Sequence, residues 1–360
     1  MAPSAGAVAS VTPSAERPLE GVQVLILGGI GPVPFAGFVL ADLGATVTRL
    51  ERPGADNGEA SHNILWRDQP GTPANLKDPA DLDRVRTMLT EADIVLEGFR
   101  PGVAERLGLG PADAQALNPA VVYGRMTGWG QDGPMAMAAG HDINYIALSG
   151  ALEPIAGTDG TPVPPLNMLG DFAGGSMYLV SGVLSGLYRA QLTGEGCVVD
   201  AAIVDGAAHL TGMLHSMRKS GTWDSGRGKN LLDGGAPFYR VYETADGKYM
   251  SVGPLEPKFY AALVDTLGLT EELAGVDQND ETHWPATRER FAQVFRTKTR
   301  DEWVAAFDGV DACAAPVIAP DEVLGEPHLA ARGTYVEVDG HIEPAPAPRI
   351  APLPHEGVQP

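Results

Sequence analysis

Residues 22–27 read VQVLIL, and Gly28, Gly29 and Gly31 follow directly. A run this apolar offers no face to water, which suits a strand covered on both sides. A helical stretch over residues 35–43 and a second strand over 46–50 come next. Asp78 and Pro79 then open another helix: the aspartate can cap, the proline fits the first turn, and Leu82, Val85 and Leu89 recur at helical spacing. Residues 94–96 and 121–123 read as two further buried strands. This alternation predicts an α/β fold with a parallel sheet and right-handed crossovers. Pro70 and Pro73 argue against ladder pairing between residues 67 and 77.

The pattern changes after Gly124. A Gly-rich loop over residues 127–140 ends at Gly140-His141-Asp142, and a second over 157–170 ends at Gly170-Asp171. Each leads into an apolar helical segment, over 143–148 and 176–192. A strand over 198–203 and one long helix over 205–220 are expected, then a flexible Gly-rich linker over 221–235. Residues 238–252 read as a hairpin turning at Ala245-Asp246-Gly247, followed by helices over 259–267 and 284–307. The expected division is a tail over 1–17, a large α/β domain over 18–202, a helix and linker over 203–235, and a small α+β domain over 236–327. Residues 328–360 should then return to the large domain. The segment from Pro344 on is Pro-rich and reads as irregular.

Composition narrows the function. The 360 residues carry 25 lysines and arginines against 46 acids, a formal charge of −21. Nucleic acids and anionic membranes are recognised by broad positive potential, so neither is an expected partner. The 44 % apolar content is enough for a substantial core. Cys197 and Cys313 stand alone, at no metal-ligand spacing, and read as two reduced, buried thiols of a cytoplasmic protein. No stretch has the form of a signal peptide or a membrane span.

The glycine turn invites comparison with a dinucleotide fingerprint, with Glu51 placed to meet a ribose. Counting from Gly29, however, the third glycine position holds Pro34, which argues against NAD or FAD. Arg49, Arg52, Lys77, Arg100 and Arg106 follow successive strands, where a parallel sheet presents its ligand edge. In so acidic a chain they suggest either a polyanionic ligand, such as a nucleotide phosphate, or ordinary surface charge. His141 and Asp171 each stand after a glycine at a loop's end, where a structural histidine and a helix cap are the plain readings and a pair of proton-transfer groups the sharper one.

The stretches Gly140-His141-Asp142-Ile143-Asn144-Tyr145 and Leu166-Asn167-Met168-Leu169-Gly170-Asp171 resemble the alpha-methylacyl-CoA racemases of the family III CoA-transferase superfamily. The likeness extends through Ala41-Asp42-Leu43-Gly44-Ala45, Phe99-Arg100-Pro101-Gly102, Leu232-Asp233-Gly234-Gly235-Ala236-Pro237 and Gly253-Pro254-Leu255-Glu256-Pro257, over about residues 20 to 335. It implies a Rossmann-like large domain, a smaller α+β domain and an interlocked homodimer with shared active sites. It further implies epimerisation of 2-methylacyl-CoA thioesters without a separate cofactor or metal, with His141 and Asp171 as bases on opposite faces of an enolate. Glu256 would pair with His141, and Tyr145 and Asn167 would support Asp171. Were Asp171 to begin a helix, the local N–H groups would face the enolate oxygen. CoA contacts would fall on Arg49, Ala74, Asn75, Leu76, Lys77, Gly98, Arg100, Arg106, Gly140 and Asp142. The alternatives are a CoA-transferase of the same superfamily using Asp171 as nucleophile, and a non-catalytic acyl-CoA-binding protein. The acyl chain itself is not specified.

Overall fold

A computed structural model describes residues 16–54, 63–157, 160–223 and 225–353. The expected tail over 1–17 therefore lies almost wholly outside the described residues. The chain divides into two compact units, one formed by residues up to 151, 165–210 and from 345 on, the other by 152–164 and 211–344. The boundaries expected at residues 202, 235 and 327 differ from these: 203–210 stay with the first unit, 152–164 gather with the second, and 328–344, expected to return to the large domain, also belong to the second.

In the first unit, chain order runs β1 (Gln23–Gly28), α1 (Pro32–Asp42), β2 (Thr46–Glu51), β3 (Gly71–Pro73), α2 (Pro79–Glu91), β4 (Ile94–Glu97), α3 (Val103–Arg106), α4 (Pro111–Leu117) and β5 (Val122–Thr127). It continues with α5 (Asp142–Leu148), a π-helix (Met168–Ser176), α6 (Met177–Thr193), β6 (Cys197–Ala202) and α7 (Ile203–Leu210). The six strands form one parallel sheet in the order β3-β2-β1-β4-β5-β6.

The apolar run of β1 is buried on both faces. Val24 and Ile26 join a core with α1 and α6, while Leu25 and Leu27 join the core under α2. Full burial of such a side chain contributes roughly 1.5–3 kcal/mol, which is why the run permits no polar alternation. Asp78 caps α2 as expected, accepting from the Ala80 and Asp81 N–H groups.

Residues 71–73 do pair, contrary to the proline argument. The Pro70 carbonyl accepts from Arg49 N–H at 3.1 Å, and Ala74 N–H donates to Glu51 O at 2.8 Å. β3 lies at the sheet's edge, so the prolines need supply no donor to the ladder.

The second unit holds α8 (Gly212–Ser220), β7 (Arg240–Glu243), β8 (Tyr249–Val252), α9 (Pro257–Thr266), α10 (Trp284–Phe295), α11 (Arg300–Phe307), β9 (Ala314–Val317), α12 (Pro327–Arg332), β10 (Tyr335–Val338) and β11 (His341–Pro344). The expected hairpin is β7–β8, with β9 added antiparallel along β8. Its core is aromatic: Tyr242 stacks on Phe295 at 5.0 Å, and the Trp303 indole N–H donates to Phe295 O at 2.8 Å.

Several expectations are corrected. The helix expected over 205–220 is interrupted at Thr211, between Leu210 and Gly212. The one expected over 284–307 breaks at 296–299, where Thr299 and Glu302 make a reciprocal capping box. Residues 221–235 are not a loose linker in the described part. Asp233 accepts from the N–H groups of Gly228, Asn230 and Gly235, and buried Asn230 bonds back to Gly226 O and Asp233. Neither thiol is fully buried: Cys197 is half-buried and Cys313 exposed, the latter in a left-handed turn at φ 48° entering β9. No described helix is long and apolar enough to cross a membrane.

Candidate active site

β1 and β4 are neighbours in the sheet, yet the chain leaves them toward opposite faces, opening a crevice at their carboxyl ends. Two backbones meet there. A Cβ on Gly98 would lie 3.1 Å from the Gly29 Cα and 2.9 Å from the Val33 side chain, and one on Gly29 would lie 2.8 Å from Val33, so both positions are crowded. The turn after β4 is held by charge: Glu97 accepts from Phe99 N–H at 2.7 Å and from Arg125 Nε at 2.8 Å, and Arg125 also binds Glu105 on α3 at 2.7 Å. Burial pushes the Glu97 carboxyl up from its ordinary value despite these donors.

On one side of the crevice is a cavity of about 380 Å³. His141, Asp171, Arg100, Gly140, Tyr145 and Trp129 line it, with Gly31 and Gly98 at its floor. His141 precedes α5 in extended backbone, and its N–H donates to Asn144 Oδ1 at 3.1 Å. The Tyr145 hydroxyl donates to Gly140 O, and its ring stands edge-on to Trp129 at 4.8 Å. That ring fits because residue 128 is glycine: a Cβ there would come within 2.1 Å of it.

Asp171 sits in the π-helix, not at a helix start. Phe172 N–H donates to Asn167 O and Met177 N–H to Phe172 O, the five-residue spacing of that helix. Its carboxylate faces the β1–α1 turn, where a Cβ on Gly31 would meet Oδ2 at 3.4 Å. Ser176 Oγ lies 2.8 Å from Pro32 O and 3.0 Å from Asp171 O, tying the π-helix to that turn. The Asp171 N–H donates to Asp142 Oδ2 at 2.7 Å. The expectation that this N–H faces an enolate oxygen is therefore corrected, because the Asp142 carboxylate already holds it. Asp142 is itself buried, and its Oδ1 has no hydrogen-bond partner among the described residues. Burial, and then the Asp142 charge, push Asp171 up from its ordinary value, while an Asn167 hydrogen bond and His141 pull it back.

Across the crevice lies a second hollow of about 1080 Å³, lined by Ala74, Asn75, Leu76, Lys77 and Gly98 together with Arg52. Arg49 does not line it. Its guanidinium pairs with Glu51, donates to Gln69 O at 3.0 Å and lies 4.1 Å over the Trp66 ring. Arg106 is exposed on α3, and Asp142 is buried. Of the residues expected to contact CoA, Arg49, Arg106 and Asp142 line neither hollow. Glu256 is an exposed carboxylate at the N-terminus of α9 in the second unit.

Sequence reasoning missed Asp142 as the group that fixes Asp171, and Thr127, Gly128 and Trp129 as cavity wall. The signal for the first was Gly170, where a Cβ would fall 2.4 Å from Asp142 Oδ2. Among the described residues, no group of three or more His, Cys, Asp or Glu side chains is arranged to hold a metal ion.

Residues 19–356 match the sequence profile of CoA-transferase family III. The chain is 44 % identical over 336 residues to the alpha-methylacyl-CoA racemase of Mus musculus, covering 93 % of this chain and 86 % of the mouse protein. It is 42 % identical over 338 residues to that of Homo sapiens, covering 93 % and 87 %. The crystal structure of a CaiB/BaiF family protein from Brucella suis has the same fold, with TM-score 0.78 at 23 % identity over 95 % of this chain and 93 % of that one.

Proposed function

The chain belongs to CoA-transferase family III, and from that premise we propose that it is an isomerase that interconverts the two epimers of 2-methylacyl-CoA thioesters. The observation that carries this reading is the presence of His141 and Asp171 in the wall of one small cavity. Epimerisation removes the α-proton from one face and returns a proton to the other. One group takes the proton as the C–H electron pair moves into the enolate, and the other protonates the same carbon from the opposite side. A positioned acid or base contributes about 10²- to 10⁴-fold to such a step, most when its pKa lies near the working pH. Burial and then the Asp142 charge push the Asp171 carboxyl up from its ordinary value, the direction a proton-transfer group at this site calls for. Both proton-transfer groups come from the chain, so the reaction as proposed draws on no separate cofactor.

The thioester would lie over the Gly29–Gly98 crevice with the CoA moiety toward Lys77 and Asn75, because that hollow opens at the same strand ends. Incubating a single epimer of a 2-methylacyl-CoA in D₂O should yield the other epimer with deuterium at the α-carbon. Retention of configuration and hydrogen across a broad acyl-CoA panel would overturn the assignment, and an isolable acyl-Asp171 anhydride would establish CoA transfer in its place.

The active site as proposed is shared between two chains, with Glu256 of one reaching His141 of its partner in a homodimer. What supports this is the placement of the two residues in separate units. Refolding His141→Ala together with Glu256→Ala chains should restore activity in the heterodimer, which holds one intact site. A fully active monomer in sedimentation would remove the idea.

A further inference from the structure

We propose that Arg125 is a positioning residue for the CoA moiety, setting the opening of the larger hollow in the first unit through the two carboxylates it bridges, Glu97 and Glu105. The inference rests on the reading that this hollow takes CoA. Glu97 ends β4 fully buried, and its register partner on β5 is Arg125, itself 7 % exposed. Glu97 Oε2 accepts from Phe99 N–H at 2.7 Å, and Oε1 accepts from Arg125 Nε at 2.8 Å. The two remaining guanidinium nitrogens donate to Glu105 on α3, at 2.7 and 3.3 Å. Asp200, the register partner of Arg125 on β6, is exposed and accepts from Gln131 N–H instead.

These bonds join two walls of the hollow. Phe99, held at its N–H by Glu97, lays its ring over the end of β1, where a Cβ on Gly28 would meet it at 2.7 Å. Gly28, Gly98 and Phe99 line the hollow from the strand ends, while Val103 and Leu107, on either side of Glu105, line it from α3 and the residue after it. Arg125 fixes the spacing between these walls, because a guanidinium is a planar fork whose donors point in set directions. Stability does not account for the arrangement. A buried ion pair gains little over apolar side chains of similar volume, since both charges must be stripped of water. Ile94-Val95-Leu96 and Val122-Tyr123, which precede the pair on the two strands, are themselves buried and apolar or aromatic. The charges stand only at the carboxyl ends, where the hollow opens.

Titration calorimetry of the full chain with CoA tests the inference. Arg125→Lys keeps the charge but has no fork to bridge both carboxylates, and should weaken CoA binding at least about tenfold. Glu105→Gln, at a side chain 45 % exposed, should leave the chain folded. It should weaken CoA about three- to tenfold, the order of one charge-assisted contact. The double variant should bind CoA no more weakly than Arg125→Lys alone, because both changes break the same bridge. In turnover of a 2-methylacyl-CoA, KM should rise by the same factors while kcat changes less than about threefold. Should Arg125→Lys not fold, Glu105→Gln decides alone. Wild-type CoA affinity in the folded variants, whatever their melting temperature, would overturn the inference and leave the isomerase reading standing. So would effects that multiply in the double variant, or a fall in kcat at unchanged KM. No CoA binding by the wild-type chain would overturn both.

Discussion

Two glycine-rich regions of this chain look alike as sequence and act by opposite physics. In the first unit, glycines at 98, 170, 174 and 206 are where atoms approach too closely for any Cβ, whether from a facing backbone or from the Asp142 carboxylate. In the second unit, Gly226 and Gly234 have open space around them but left-handed backbone, at φ 80° and 86°. The first set brings elements together to make a cavity. The second shapes a turn that Asp233 and Asn230 then hold by hydrogen bonds. Glycine enrichment therefore says nothing about flexibility until one knows what stands opposite each residue.

The contrast can be broken by substitution. Gly206→Ala should have the largest effect, because its Cβ would lie 1.8 Å from the Gly174 carbonyl oxygen, which is backbone and cannot swing aside. A loss of about 3 kcal/mol or more is expected from denaturant unfolding, with activity lost as the π-helix shifts. Asp233→Asn should cost about 1–3 kcal/mol in the same measurement, since one acceptor oxygen becomes a donor facing other donors. Gly170→Ala should cost a similar or smaller amount, yet lower α-deuterium exchange about 100-fold, because its Cβ displaces the Asp142 carboxylate that holds Asp171. Gly234→Ala should cost only about 1 kcal/mol, the strain of a left-handed alanine, and leave exchange intact.

Asp171→Asn sharpens the comparison from the catalytic side. Epimerisation should fall at least about 100-fold. The folded carboxyl binds its proton more tightly than the unfolded one, so the native protein loses stability as pH rises from the ordinary carboxylate value through the raised one. The variant lacks that loss. Its melting temperature should match wild type in acid and exceed it at neutral pH, and a variant less stable at every pH would contradict the sign.

Elements that bury both faces were legible in the residues: β1, β4 and β5 announce themselves as apolar runs, and α2 by Asp78 and its periodic leucines and valine. The two proline-bearing edge strands were not. β3 contains Pro73 and β9 contains Pro316, and each is tolerated only because it lies outermost in its sheet, a fact of topology that no local stretch encodes. The break before α11 was available in Thr299 and Glu302, a capping box overlooked within a longer apolar pattern. At the candidate site, His141 and Asp171 stood out by position after glycine, whereas Asp142 read as a ligand contact. Only the fold shows that its side chain turns inward to Asp171 N–H, across 29 residues of sequence.

The π-helix over Met168–Ser176 runs straight into α6. A π-turn holds about one residue more than an α-turn, and each residue of an α-helix advances about 100° around the axis. The segment thus acts as a phase shift: it lets α6 keep the rotational setting its core contacts demand while Asp171 faces the cavity. Deleting a single residue between 172 and 176 would let the two helices merge into one regular cylinder, with the carboxylate carried about a quarter-turn out of the pocket. The placement of Asp171 in the cavity and the packing of α6 are therefore separable by one codon, so that the proposed chemistry could be lost or regained without rebuilding the core.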